Sequence, residues 1–186
     1  IDDILWVASE EFSEDMQKMG GTAALEAPYL DVPIFKLYKK RIIWLIILFV
    51  GETLTIIAMS NFQKTLEQVL VLSTFIPLII SSGGNSGSQA ATLIIQALAL
   101  GEITVKDWWR IARREIFSGI FMGVTLGIFG FLIIYGGYQF FGLFGEHFIR
   151  IGFAIGIAII GVVTWGTIMG SMLPLLLKRL GADPAT

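Results

Sequence analysis

The 186-residue chain has no cysteine, one histidine and few charges: 15% of its residues are Asp, Glu, Lys or Arg. Without cysteine it can build neither a disulfide framework nor a thiolate metal site. The single histidine, His147, stands beside Glu146, and no nucleophile, base and orienting group fall together, so the chain is not read as an enzyme. Soluble domains carry about 25% charged residues. The shortfall here, with a net charge of −2, gives no sign of a nucleic-acid partner. A secretory leader is also missing: the chain opens on Ile1-Asp2-Asp3, stays acidic through Asp15 and lacks an initial Met, so both ends are expected to be cuts in a longer protein.

What the chain does have is apolar residues, 55% of the total, with a mean hydropathy of +0.77. They fall into four runs, about 42–59, 69–100, 116–144 and 151–177. A hydrocarbon core of about 30 Å takes roughly 20 apolar residues of helix, the only single-segment structure that satisfies its own backbone there. The expected fold is therefore all-α: a polytopic membrane bundle over 42–186, preceded by an acidic cytoplasmic helix and linker over 1–41. Basic residues set the orientation. Lys36, Lys39, Lys40, Arg41, Lys106, Arg110, Arg113, Arg114, Lys178 and Arg179 flank one side of the spans, against Lys64 and Arg150 on the other, which places both chain ends in the cytoplasm. Glycines four apart, as in Gly119–Gly123–Gly127, Gly152–Gly156 and Gly166–Gly170, suit close helix packing, although glycine is common in membrane helices anyway.

The second run is cut by polar and flexible residues: "PLIISSGGNSGSQAATLIIQALAL", Pro77 to Leu100. Three glycines within Gly83–Gly87 weaken a helix, and unwound backbone survives at membrane depth only when buried or facing water. The expectation is a glycine-interrupted helix whose freed carbonyls between Ser81 and Gln89 line a polar pathway. The alternative is a kinked helix whose serines bond back to their own carbonyls. Freed carbonyls and the Asn85 oxygen favour a cation, whereas a half-helix starting near Ser88 would favour an anion. A secondary transporter for a small anionic or organic substrate is accordingly the competing function, and a structural membrane module the third.

The same stretch, through Gly101 and Glu102, resembles the signature of the MgtE family of magnesium transporters: Gly83, Gly84, Asn85, Gly87, Gln89, Ala90 and Thr92 all match. "IDDILWVASEEFSEDMQKMGG" with "APYLDVPIFKLYKKRIIWL" resembles that family's cytoplasmic helix and linker, and "GSMLPLLLKRLGADPA" the end of its fourth span. The resemblance implies a channel for Mg2+ in a bacterial plasma (inner) membrane, made as a homodimer with its pore at the subunit interface. It also implies cytoplasmic regulatory domains and a fifth span, carrying a Mg2+-binding aspartate, that these 186 residues do not include. The expected pathway residues are Gly83, Gly84, Asn85, Gly87, Gln89 and Thr92. Carbonyls and an amide suit Mg2+, which keeps several of its waters and demands octahedral oxygen geometry.

Two carboxylate features complete the picture. From Ile1 to Met19 apolar residues recur at helical spacing, with Asp3, Glu10, Glu11, Glu14 and Asp15 elsewhere on the cylinder. The resemblance implies that this helix plugs the pore at high cytosolic Mg2+, with Asp3, Glu11, Glu14 and Asp15 as regulatory ligands and Asp2 and Glu10 as weaker ones. Glu52, inside the first apolar run, either faces the pathway or stays protonated against a neighbouring helix.

Overall fold

The computed structural model describes residues 7, 13–14, 17–18, 23–25, 29–64 and 70–181. From residue 29 onward, five α-helices follow one another among the described residues: α1 (Ile34–Asn61), the single turn α2 (Leu70–Ser73), α3 (Ile76–Ala99), α4 (Trp108–Phe141) and α5 (Phe148–Arg179). Among the described residues there is no strand, and four stretches are long and apolar enough to cross a membrane: Ile34–Asn61, Leu70–Ala99, Val105–Phe141 and Gly145–Arg179. The fold is thus an all-α polytopic bundle.

The chain divides between Gln63 and Lys64 into two compact units. In the first, α1 starts after Pro33, whose fixed φ and missing N–H suit a helix boundary. It closes with Ser60 Oγ and Asn61 Nδ2 donating back to the Ile57 carbonyl at 2.7 and 3.1 Å. Its apolar side chains from Ile43 to Ile57 are largely exposed, as lipid-facing residues are.

In the second unit α5 is the central helix, with α3 and α4 packed against it. Residues four apart on α5, Ile151, Ile155, Ile159, Val163, Thr167, Ser171 and Leu175, form one continuous buried stripe. Its first half joins Ile134 of α4 in a core covered by Val71, Phe75 and Phe144. Its end joins Ile94 and Leu98 of α3 with Ile111 of α4. The glycine ladder of α4 lies directly on α5. A methyl at Gly123 would sit 2.8 Å from the Ile160 Cα, and one at Gly127 3.0 Å from the Gly156 oxygen. Packing, not mere frequency, therefore explains Gly119, Gly123 and Gly127; with little hydrophobic drive between helices in lipid, close backbone approach supplies the attraction.

Glycine does not unwind the second span. Residues 81–89 are regular α-helix, part of the unbroken α3. The interruption lies ahead of this stretch, at Thr74–Phe75, six residues before Ser81. Pro77 causes it: the ring has no N–H to give and would clash with the carbonyl four residues back, Ser73, so the helix stops there and restarts at Ile76. At the other end α3 closes in a Schellman motif. Gly101 takes φ +71°, Glu102 N donates to Ala97 O at 3.0 Å and Gly101 N to Leu98 O at 3.4 Å. Lys178 Nζ, from the last turn of α5, donates to the same Leu98 oxygen at 3.3 Å, favourably placed at a helix C-terminus.

Candidate functional site

The two sides of α3 are chemically opposite. Ser81, Asn85, Ser88 and Thr92 are all exposed, and at 100° per residue they fall within an arc of about 60°. Gln89 and Gln96, also exposed, flank the same arc. The result is a ribbon of hydroxyls and carboxamides extending for about 22 Å of helix at 1.5 Å per residue, without a charge. Its first two members interact: Asn85 Nδ2 donates to Ser81 Oγ at 3.5 Å, leaving the amide oxygen as the accepting end. Thr92 Oγ1 donates to Ser88 O at 2.9 Å.

The other side of α3, Gly83, Ser86, Ala90 and Ile94, is buried. Two backbones meet here. A Cβ on Gly87 would lie 2.9 Å from the Gly166 oxygen, and one on Gly166 would strike the Gly83 oxygen. Gly170 lies equally hard against Gly87, with Gly87 C only 2.7 Å from where a Cβ would sit. Ser86 Oγ crosses the seam, donating to Val163 O at 3.3 Å as well as to Gly83 O at 3.0 Å. This seam fixes both the height and the rotation of α3, and so the direction in which the ribbon looks.

The sequence-derived residues therefore separate. Asn85, Gln89 and Thr92 share the exposed polar side, and Gly84 is exposed next to them. Gly83 and Gly87 face α5 instead, where they act through their lack of a side chain. The expectation of freed peptide oxygens is corrected: in a continuous helix they are bonded internally, and the serines bond back to their own helix, as Ser82 Oγ does to Leu78 O at 2.7 Å. Nor does a helix begin at Ser88, which removes the half-helix dipole on which an anion site there depended. Sequence reasoning reached Thr92 but missed Gln96, one further turn along the ribbon. The polar spacing i, i+4, i+7, i+11 from Ser81 was the available signal.

The two candidate carboxylates that the structure describes, Glu14 and Glu52, belong to the first unit. Glu52 is exposed in the middle of α1. Glu14, partly buried, pairs with Lys18 at 2.9 Å, and the groove they line also holds Lys36, Lys39 and Lys40. Its neighbours are thus ammonium groups of the linker and α1, which the local sequence around residue 14 did not show. Asp3, Glu11 and Asp15, like Asp2 and Glu10, lie outside the described residues. Among the described residues no three His, Asp or Glu side chains come together.

Comparison with known proteins agrees with the signature read in α3. Residues 76–186 match the MgtE family, described as a divalent cation transporter. Over 185 residues the chain is 34% identical to the magnesium transporter MgtE of Thermus thermophilus, and over 186 residues 30% identical to that of Enterococcus faecalis. It is 25% identical to the Bacillus subtilis protein of the same name. In each case the alignment takes in the whole chain but only 38–39% of the relative, so this chain spans about two fifths of their length.

Proposed function

Since the chain belongs to the MgtE family of divalent cation transporters, we propose that the α3 ribbon is its contribution to a membrane pathway for hydrated Mg2+. The observation that supports this most is the exposed line of Ser81, Asn85, Ser88, Gln89 and Thr92 on a helix otherwise surrounded by apolar residues. Thr92 and Asn85 have one bond each within the helix, but against acyl chains the remaining capacity of the Asn85 and Gln89 carboxamides would go unmet, at a cost of several kcal/mol per unsatisfied group. Against water they are at home. Mg2+ dehydrates reluctantly and keeps several waters, so neutral oxygens that accept from those waters guide the ion without trapping it. In this reading the Asn85 oxygen and the Thr92 and Ser88 hydroxyls contact the hydration shell. Gly84, bare and exposed, leaves room for it. Gly83 and Gly87 hold α3 in place through the seam with α5.

A ribbon on one face encloses nothing by itself. A second copy facing the first, together with further segments of the full-length protein, completes the conduit, with both ends of this chain on the cytoplasmic side where the basic residues cluster. Glu52 is a secondary candidate for the pathway. The acidic helix, through Asp3, Glu11, Glu14 and Asp15, gates it: divalent cations relieve carboxylate repulsion and let the helix pack over the mouth, in competition with the Glu14–Lys18 pair. The test is Asn85→Leu in the full-length protein, in cells that depend on it for Mg2+. Uptake should be lost, while Thr125→Val, on the exposed side of α4, keeps it. Normal uptake by Asn85→Leu would remove Asn85, and the ribbon with it, from the pathway.

A further inference from the structure

At the basic end of the second unit a groove of about 290 Å³ opens between the start of α4 and the end of α5. Val105, Trp108, Met172, Leu173 and Leu176 line it, and Arg179 stands at its mouth. The geometry points to a binding site for one phospholipid with an anionic head group, its acyl chain in the groove and its phosphate on Arg179. Three features commit the site to that occupant.

The lining is apolar from Met169 to Leu176 and ends in a guanidinium, which matches an amphiphile and not a uniformly apolar surface. Charge accumulates at that end only. Lys106 and Arg110 occupy the turns carrying Val105 and Trp108; Asp107 between them, accepting bonds from Thr104 N and Oγ1 at 2.9 and 2.8 Å, offsets one of these cations and, with Arg179, leaves this group of four charges net positive. Lys178 is held by the Leu98 carbonyl, so Arg179 is the cation of that turn that lines the groove. Depth is the third feature. Trp108, edge-on to Trp109 with ring centroids 5.6 Å apart, is exposed like its neighbour, as indoles at the head-group level are. The volume is at the low end for small-molecule sites, and suits an acyl chain rather than a helix about 10 Å across. Basic pockets between membrane helices take anionic head groups, each Lys or Arg adding about a fivefold preference.

Native mass spectrometry of the purified full-length protein, given equal phosphatidylglycerol and phosphatidylcholine of the same acyl chains, tests the site. The protein should retain phosphatidylglycerol preferentially. Arg179→Gln should cut that preference about fivefold, Arg179→Lys should retain most of it, and Arg150→Gln at the opposite end should leave it intact. Equal retention of the two lipids, a preference indifferent to Arg179→Gln, or one lost equally in Arg150→Gln would overturn the assignment. A groove covered by another segment or a second copy would show as the indifferent result.

Discussion

Replacing Gly170 by alanine sets a methyl group against the Gly87 backbone, with Gly87 C at 2.7 Å and its Cα at 2.9 Å. Ordinary contact begins near 3.4 Å and the Gly87 oxygen lies closer to the added methyl than either carbon, so the two helices must part by more than the 0.7 Å that Gly87 C alone demands. A gap of 0.5–1 Å already forfeits a quarter to a half of each dispersion contact across a seam. No obstructing atom belongs to a side chain that could rotate away. With the Gly87 oxygen so close, overpacking falls in the upper part of its usual range, about 2–3 kcal/mol, from which about 1 kcal/mol returns because alanine is the better helix former. The net loss is therefore about 1–2 kcal/mol, a fall of about 2–8 °C in the thermal midpoint for a domain of this size. Gly161→Ala on the same helix is the control, since nothing lies within 4 Å of its Cβ position; there the helix gain stands alone and the midpoint should hold or rise. Thermal unfolding of both variants in detergent, followed by loss of the monodisperse elution peak, reads the contrast. Equal midpoints would refute the claim that α3 and α5 meet backbone to backbone at Gly87.

Three other outcomes can be tested in the same way. Ser86→Ala removes the Val163 bond across the seam but leaves that carbonyl its own helical donor, so the loss should stay near 0.6 kcal/mol, the average for interhelical bonds in membranes; a midpoint drop as large as that of Gly170→Ala would show the hydroxyl doing more. Asp107→Ala deletes the acceptor for Thr104 N and Oγ1 ahead of α4 and should destabilise by about 1 kcal/mol in the same assay, as capping losses do; Thr104→Ala should cost a similar amount, and no change in either would mean the turn holds without its cap. The gating proposed above predicts that neutralising Glu14 and Asp15 together in the full-length protein weakens inhibition by cytosolic Mg2+ in patch recordings, and unchanged inhibition would separate the acidic helix from gating.

Much of the architecture could be read from composition alone. Four long apolar runs allow only a helical bundle in a membrane, because no other single segment bonds all its own peptide groups. The polar residues of α3 announced a functional stretch for the same reason: Ser81, Asn85 and Gln89 have no place in hydrocarbon unless something wet or polar meets them. Pro77, too, carried its consequence openly in the missing N–H, although the nearby glycines were the more conspicuous breakers.

The meaning of those glycines was settled only in three dimensions. A glycine in a membrane helix either loosens the backbone or admits a neighbour, and residues 81–89 are the same string in both cases. What decides is whether another backbone arrives. Gly166 and Gly170, some 80 residues further on, meet Gly87, and Gly166 meets Gly83; the contact they make favours a regular helix, since apolar surroundings penalise every unbonded peptide group. That long-range contact also turns the polar side of α3 away from α5 and into the open. Local sequence determined which residues are polar, and tertiary packing determined which way they face.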